Sequence, residues 1–164
     1  MMRPLSEDEL RESFVNATDA ELDQLELPLE YLLVDWEHVD ALAWRDRTVR
    51  QRGYLVTLID DEPVGVVLRA ADPPSSRHRA AMCSLCHTQQ PANQVTMFSA
   101  RRAGEAGRNG NSVGTYLCSD LSCQENVRLP APLAPAEVRT GHHVSARIDG
   151  LARRTRAFVE GVLG

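Results

Sequence analysis

The sequence has no lysine: all 18 basic residues are arginine. A Walker-type phosphate loop needs a Gly-Lys pair followed by Ser or Thr, so Gly104, Gly107 and Gly110 read as a long hairpin connection rather than a nucleotide cradle. Aromatics are also scarce, at 5%, so a core must be built mainly from Leu, Val and Ala. No apolar run resembles a signal peptide or approaches the length needed to span a bilayer, which points to the cytoplasm. There is no nucleophile elbow with an ordered Ser/His/Asp set, and no metal-hydrolase motif. The sequence therefore offers no enzyme active site, and it has no internal repeat and no low-complexity tract.

What is present is enough for one ordinary domain, or a small domain with a helical appendage: 164 residues, 43% of them hydrophobic. The net charge of −5 is unevenly spread. Residues 1–43 hold 12 acidic side chains and two Arg, whereas residues 44–164 hold 16 Arg and 11 acidic side chains. The halves are electrostatically opposite. They can attract each other within one fold, or the basic part can meet an acidic partner, protein or RNA.

Local signals divide the chain into an acidic N-terminal helical segment (1–50), a β-hairpin plus cysteine-rich domain (51–129), and a linker with a C-terminal helix (130–164). Ser6-Glu7-Asp8-Glu9 has the form of a capping box and predicts a helix over 7–16 with Leu10 and Phe14 on one face. Thr18-Asp19-Ala20-Glu21 repeats the signal for a short helix ending near Pro28. Trp36, Val39, Leu42 and Trp44 are expected to anchor short helical turns. Residues 54–59 and 64–68 read as two strands around an Asp60-Asp61-Glu62-Pro63 turn, and 72–77 as a loop. Val95–Arg101 and Val113–Leu117 read as paired strands with a flexible connection at 103–111. A short helix capped by Ser119 or Asp120 should stop before Pro130. Residues 130–141 read as a Pro/Ala linker. From His143 a last helix carries Val144, Ile148, Leu151, Phe158 and Val162 on one stripe, flanked by Arg147, Arg153, Arg154 and Arg156.

The cysteines carry the strongest signal. Cys83-Ser84-Leu85-Cys86 is a C-x2-C pair and Cys118 to Cys123 a C-x4-C pair. A reducing compartment argues against two disulfides, and four thiolates can close a tetrahedral zinc site. A tight knuckle, a hairpin, then a ligand in the first turn of a helix is the order of a treble-clef finger; a zinc ribbon prefers two matched knuckles. His87 would have to displace a thiolate, so it falls outside the ligand set, and His78, His142 and His143 show no ligand spacing. The competing readings are four separate buried thiols and a redox C-x-x-C, which wants a βαβ context. On the hairpin that leads to the second pair, Phe98, Arg101, Arg102 and Tyr116 form a candidate protein-binding surface, since Arg and aromatic side chains are enriched at interface hot spots. The alternative is that Phe98 and Tyr116 are a cross-strand core pair.

The blocks Gly65-Val66-Val67-Leu68-Arg69, Met82-Cys83-Ser84-Leu85-Cys86, Ala100-Arg101-Arg102-Ala103-Gly104-Glu105-Ala106-Gly107-Arg108, Gly110-Asn111-Ser112-Val113-Gly114-Thr115-Tyr116-Leu117-Cys118 and Asp120-Leu121-Ser122-Cys123 resemble the elongation factor G-binding protein family with its C-terminal treble-clef zinc finger. The resemblance is closest to its short actinobacterial members and extends to the FusB-type fusidic acid resistance proteins. It implies binding to the C-terminal domains of elongation factor G, release of that factor from a stalled ribosome, and contact through the zinc-finger domain. Only about 45 residues precede the hairpin here, where FusB-type proteins carry a larger helical bundle. Together these readings give an α+β fold, with a small mixed sheet, short N-terminal helices, a four-cysteine treble clef binding one structural Zn2+, and a C-terminal helix. The leading function is binding of elongation factor G. The rivals are an RNA- or ribosome-binding finger, and a thiol-based redox or metal sensor.

Overall fold

A computed structural model describes residues 1–72, 76–130, 136 and 141–164. The α+β class holds. Five strands form one sheet in the order β1-β2-β3-β6-β7: β1 Ala41–Arg45, β2 Arg52–Ile59, β3 Glu62–Ala70, β6 Val95–Arg101 and β7 Ser112–Cys118. Between β3 and β6, β4 (Ala80–Met82) and β5 (Gln89–Pro91) make a small separate hairpin. Where a mixed sheet was expected, every strand pairing is antiparallel, and the parallel element among the described residues is a single bridge between Phe14 and Gly65.

Both N-terminal capping boxes form. In α1 (Glu7–Glu12) the Glu9 N–H donates to Ser6 Oγ at 3.2 Å, and the Ser6 N–H donates to the Glu9 carboxylate at 2.8 Å. Thr18 and Glu21 repeat the pattern for α2 (Asp19–Asp23). However, α1 stops four residues before the expected end. A tertiary pairing wins over helix propagation: Gly65 N–H donates to Ser13 C=O, and Val15 N–H donates to Gly65 C=O, both at 2.9 Å. Only glycine permits that approach, because a Cβ on Gly65 would lie 2.7 Å from Ser13 Oγ.

Residues 29–46 also differ from the helical-turn expectation. Short 3-10 turns occur at Tyr31–Leu33 and Trp36–His38, but Leu42 and Trp44 lie on β1. Alternation explains it. Leu42 and Trp44 sit opposite Val56 and Tyr54 on one sheet face, while Ala41 and Ala43 turn to the other. The ring centroids of Trp44 and Tyr54 are 5.2 Å apart, and Phe14 joins them edge-on at 5.7 Å from Tyr54. The β2–β3 hairpin forms as expected, with each strand slightly longer. Its two-residue turn places Asp60 and Asp61 at φ 52° and 70°, the left-handed pair that matches strand twist.

The sheet has two covered faces. Leu55, Val66, Leu68, Phe98, Ala100 and Leu117 pack beneath the C-terminal helix α5 (Gly141–Leu163), which buries Leu151, Val159 and Val162. Val144, Ile148 and Phe158 of the expected stripe are partly buried. The opposite face is covered only over β1–β3, by Met2, Leu5, Leu10 and Leu25 of the acidic segment. Thus the first and last parts of the chain pack against one sheet. The expected linker falls on residues 131–135 and 137–140, and the core of the 72–77 loop on 73–75, all outside the described residues.

One seam is filled by a side chain. β3 and β6 pair only at Arg69–Ser99 and Ala70–Phe98. Where the next rungs would fall, Asn16 inserts: its amide donates to Val67 C=O at 3.1 Å and Arg101 C=O at 2.9 Å, and accepts from Val67 N–H at 2.7 Å. The side chain stands in for the missing strand backbone.

Asp46 fixes the β1–β2 turn. Its side chain is 3% exposed and accepts from Tyr54 Oη at 2.6 Å, Val49 N–H at 2.7 Å and Thr48 N–H at 2.8 Å. Burial alone would raise its pKa, but those hydrogen bonds, with the Arg52 charge, hold the carboxyl below its usual value. A depressed folded pKa stabilises the fold above the unfolded value of about 4, and that contribution is lost as pH falls through the folded value. Asp46→Ala should therefore cost about 2–4 kcal/mol in urea unfolding at pH 7, and the gap from wild type should narrow on acidification below about pH 4.

Candidate metal centre

The β4–β5 hairpin folds as a zinc knuckle. Its tip reverses because the Cys83 N–H donates to Thr88 C=O at 3.2 Å and the His87 N–H donates to Cys83 C=O at 3.0 Å, with His87 at φ 55°. The same tight turn aims two backbone N–H groups at one sulfur: Leu85 and Cys86 donate to Cys83 Sγ at 3.4 and 3.5 Å. Cys118 ends β7 opposite Val95. The chain then turns through Leu121 at φ 61° into α4 (Cys123–Asn126), which Cys123 opens. The helix thus starts later than a Ser119 or Asp120 cap implies. Asp120 instead holds the preceding turn, accepting from Ser122 N–H at 3.1 Å and Ser122 Oγ at 2.5 Å.

These two turns bring Cys83, Cys86, Cys118 and Cys123 together, all four sulfurs lying within 4.8 Å of one another. Cys83 and Cys123 are 3.6 Å apart, as are Cys86 and Cys118. Zinc–sulfur bonds of about 2.3 Å in a tetrahedron set sulfur–sulfur separations of about 3.8 Å, so the cluster has the dimensions of a zinc cage. All four are free thiols, none more than 6% exposed. No open coordination position faces solvent, which is the form of a structural rather than a catalytic zinc. His87 is exposed and outside the cluster.

Electrostatics also call for a cation. Four thiols at this spacing titrate as one group. Hydrogen bonds with Cys118 and Cys123 push Cys83 down to about 7 and also push Cys86 down, whereas contact with Cys118, Cys83 and Cys86 pushes Cys123 up. The buried space will not hold four negative charges by itself; a divalent ion lets every thiol ionise. The four cysteines therefore form the site of one structural zinc.

Two supporting residues were not legible beforehand. Gln90 and Asn126 donate side-chain amides to Cys118 Sγ at 3.2 and 3.3 Å, orienting that ligand and spreading its charge. Only a position three residues beyond Cys123, one helical turn on, hinted at Asn126. The C-terminal helix fastens the centre from outside. Arg154 Nε donates to Leu85 C=O at 2.7 Å in the knuckle, and Arg147 donates to Asn126 C=O at 3.2 Å at the end of α4 and to Leu129 C=O at 2.6 Å beyond it.

The four surface candidates separate. Phe98 is fully buried against the expectation of an exposed aromatic. It pairs with Thr115, while Tyr116 pairs with Met97, so the two rings point to opposite faces and form no cross-strand pair. Tyr116 is 53% exposed. Arg101 is exposed and holds Glu21 through two hydrogen bonds at 2.7 and 2.8 Å. Arg102 is a tether: it donates to Gly161 C=O at 2.5 Å, beside an Ala103 N–H bond to Val162 C=O. The 103–111 connection, expected to be flexible, contains a short helix, α3 (Gly104–Arg108). Gly107 packs so closely on the Arg102 backbone that a Cβ would lie 1.7 Å from Arg102 O.

Elemental analysis of purified protein should find one zinc per chain, and less than half an equivalent would count against the site. Chelation should unfold residues 83–129, because structural zinc contributes on the order of 10–16 kcal/mol. Asn126→Ala and Gln90→Ala should each weaken zinc affinity about 10–100-fold in competition with a chelating dye, with the fold retained at saturating metal.

No helix among the described residues is long and apolar enough to cross a membrane. No curated protein and no solved structure matches the chain. The FBP C-terminal treble-clef zinc-finger family, by contrast, matches it over residues 9–162, which takes in most of the acidic segment, the sheet, all four cysteines and nearly all of the C-terminal helix. On that extent of match, and with a knuckle, a hairpin and a ligand-bearing helix closing one cage, the chain belongs to the FBP C-terminal treble-clef zinc-finger family.

Proposed function

We propose that this protein binds translation elongation factor G in the cytoplasm, through the factor's C-terminal domains, and modulates its release from the ribosome by contact rather than by catalysis. Membership of the family supports the partner. The observation that carries the docking surface is Tyr116. It stands half exposed on the sheet face that the acidic segment leaves uncovered. Its strand is held twice: by zinc through Cys118, two residues on, and by the Ser84 N–H, which donates to Tyr116 C=O at 2.7 Å.

A rigid aromatic loses little conformational entropy on binding, which is why such residues dominate interface energetics. Met97 lies directly opposite Tyr116, and Arg101 lies on the same face four residues along β6, two rungs beyond the Ser99–Gly114 pair. Burial of all four sulfurs favours a closed scaffold over a thiol sensor, whose reactive sulfur must be reachable. Phe98 and Arg102 then act from within, the first under α5 and the second through its bond to Gly161.

Calorimetry of the zinc-loaded chain with elongation factor G from the same host tests the reading. A complex should form at tens of micromolar or below, and Tyr116→Ala should weaken it about tenfold or more with melting unchanged. Arg102→Ala should instead lower the melting temperature. Absence of any complex at those concentrations would overturn the assignment.

A further inference from the structure

Beside the docking face, the sheet carries a second feature that partner binding does not explain. A cleft of about 410 Å³ opens between β2, β3 and the β6–β7 hairpin, with Arg52, Arg69 and Arg101 in its lining. Arg52 and Arg69 occupy directly opposed positions on β2 and β3. Ala70 N–H donates to Gln51 C=O at 2.7 Å, which makes 51–70 a hydrogen-bonded rung. The alternation of the ladder then leaves Arg52–Arg69 as a non-bonded rung, where opposed side chains are closest. Like charges placed there destabilise a sheet.

Local carboxylates offset only part of this charge. Glu21 holds Arg101, and Asp46 lies 3.9 Å from Arg52, which also donates to Gln24 Oε1 at 2.9 Å. The Arg69 guanidinium has no hydrogen-bond or ion-pair partner among the described residues. The next position in its row is Ser99, and Ser112 sits opposite Arg101, so hydroxyl groups interleave with the guanidinium groups.

We propose that this cleft binds a small phosphorylated molecule, with Arg69 as the principal contact and Arg52, Ser99 and Ser112 beside it. Its volume falls in the range of small-molecule sites, roughly 300–1,000 Å³. Guanidinium forks suit phosphate oxygens in bidentate fashion. An anion between Arg52 and Arg69 would turn their repulsion into attraction. No aromatic side chain is among the described lining residues, so the cleft lacks the stacking platforms that single-stranded nucleic acid uses.

The test is calorimetric titration of the zinc-loaded full chain with inorganic pyrophosphate, at ionic strength held constant with chloride. Wild type should bind saturably. Arg69→Ala should bind at least tenfold more weakly, and Arg153→Ala, at an exposed site on α5, should match wild type. Zinc stripping by the probe would affect all three alike. Arg69→Ala should melt no lower than wild type, because it removes one of two opposed charges. Absence of saturable binding, or an Arg69→Ala variant that binds like wild type, would overturn the proposal. Tighter, Arg69-dependent binding of a ten-nucleotide single-stranded RNA than of pyrophosphate would overturn it in favour of a nucleic-acid backbone. The two readings are tested on different side chains, Arg69 on β3 and Tyr116 on β7, so failure here leaves the elongation factor reading standing.

Discussion

Four thiolates cannot share a buried space without a cation between them, and the rest of the molecule is arranged around that fact. The knuckle at Cys83–Cys86 and the turn at Cys118–Cys123 lie some thirty residues apart in sequence, with few large apolar side chains between them to draw the two together. One divalent charge joins them inside an apolar surround that includes Leu85, Leu117, Leu121 and Val127. Other restraints converge on the same junction: the N–H groups of Leu85 and Cys86 on Cys83, the amides of Gln90 and Asn126 on Cys118, and the arginines of α5 on the surrounding carbonyls. The last of these also explains why the C-terminal helix is part of the fold. Its apolar stripe packs on the sheet while Arg147 and Arg154 reach past the edge to the metal region, so helix and centre stabilise each other.

The site was more legible than the fold around it, for a physical reason. Metal ligation depends on residue type and short spacing, which a sequence displays directly, so the four cysteines and the order of their elements could be read. The β2–β3 and β6–β7 strands were legible too, because a β-branched run broken by Asp-Asp or Gly-Asn is a local signal. Errors came where a distant contact overruled a local one. The capping box at Ser6 was real, yet α1 ended early because Gly65 offered Ser13 and Val15 a strand partner more than fifty residues away. Trp44 reads locally as a helical anchor, yet it pairs with Tyr54 on the neighbouring strand, and Phe14 packs on the same face. Gln90 and Asn126 were silent because an amide beside a sulfur has no sequence signature of its own. Phe98 failed differently: strand alternation put it and Tyr116 on opposite faces, and the register that decides this follows from the β6–β7 pairing, not from either strand alone.

The division of charge along the chain gains meaning from the same sheet. The acidic segment does fold back onto the basic remainder, as Glu21 on Arg101 and Glu26 on Arg47 show, but these pairs are partly exposed and contribute little each. What holds the segment is apolar: Leu10, Leu25 and their neighbours on Trp44, Tyr54 and Val67. Charge then decides where the covering stops. It ends at the β3–β6 seam, where Asn16 closes the ladder and Glu21 meets Arg101. Beyond that line β6 and β7 present Met97 and Tyr116 without a layer over them. A longer N-terminal cover would bury this face, and a shorter one would expose the aromatic cluster beneath Leu10. The extent of the acidic segment therefore sets which part of the zinc-stiffened sheet remains open to a partner.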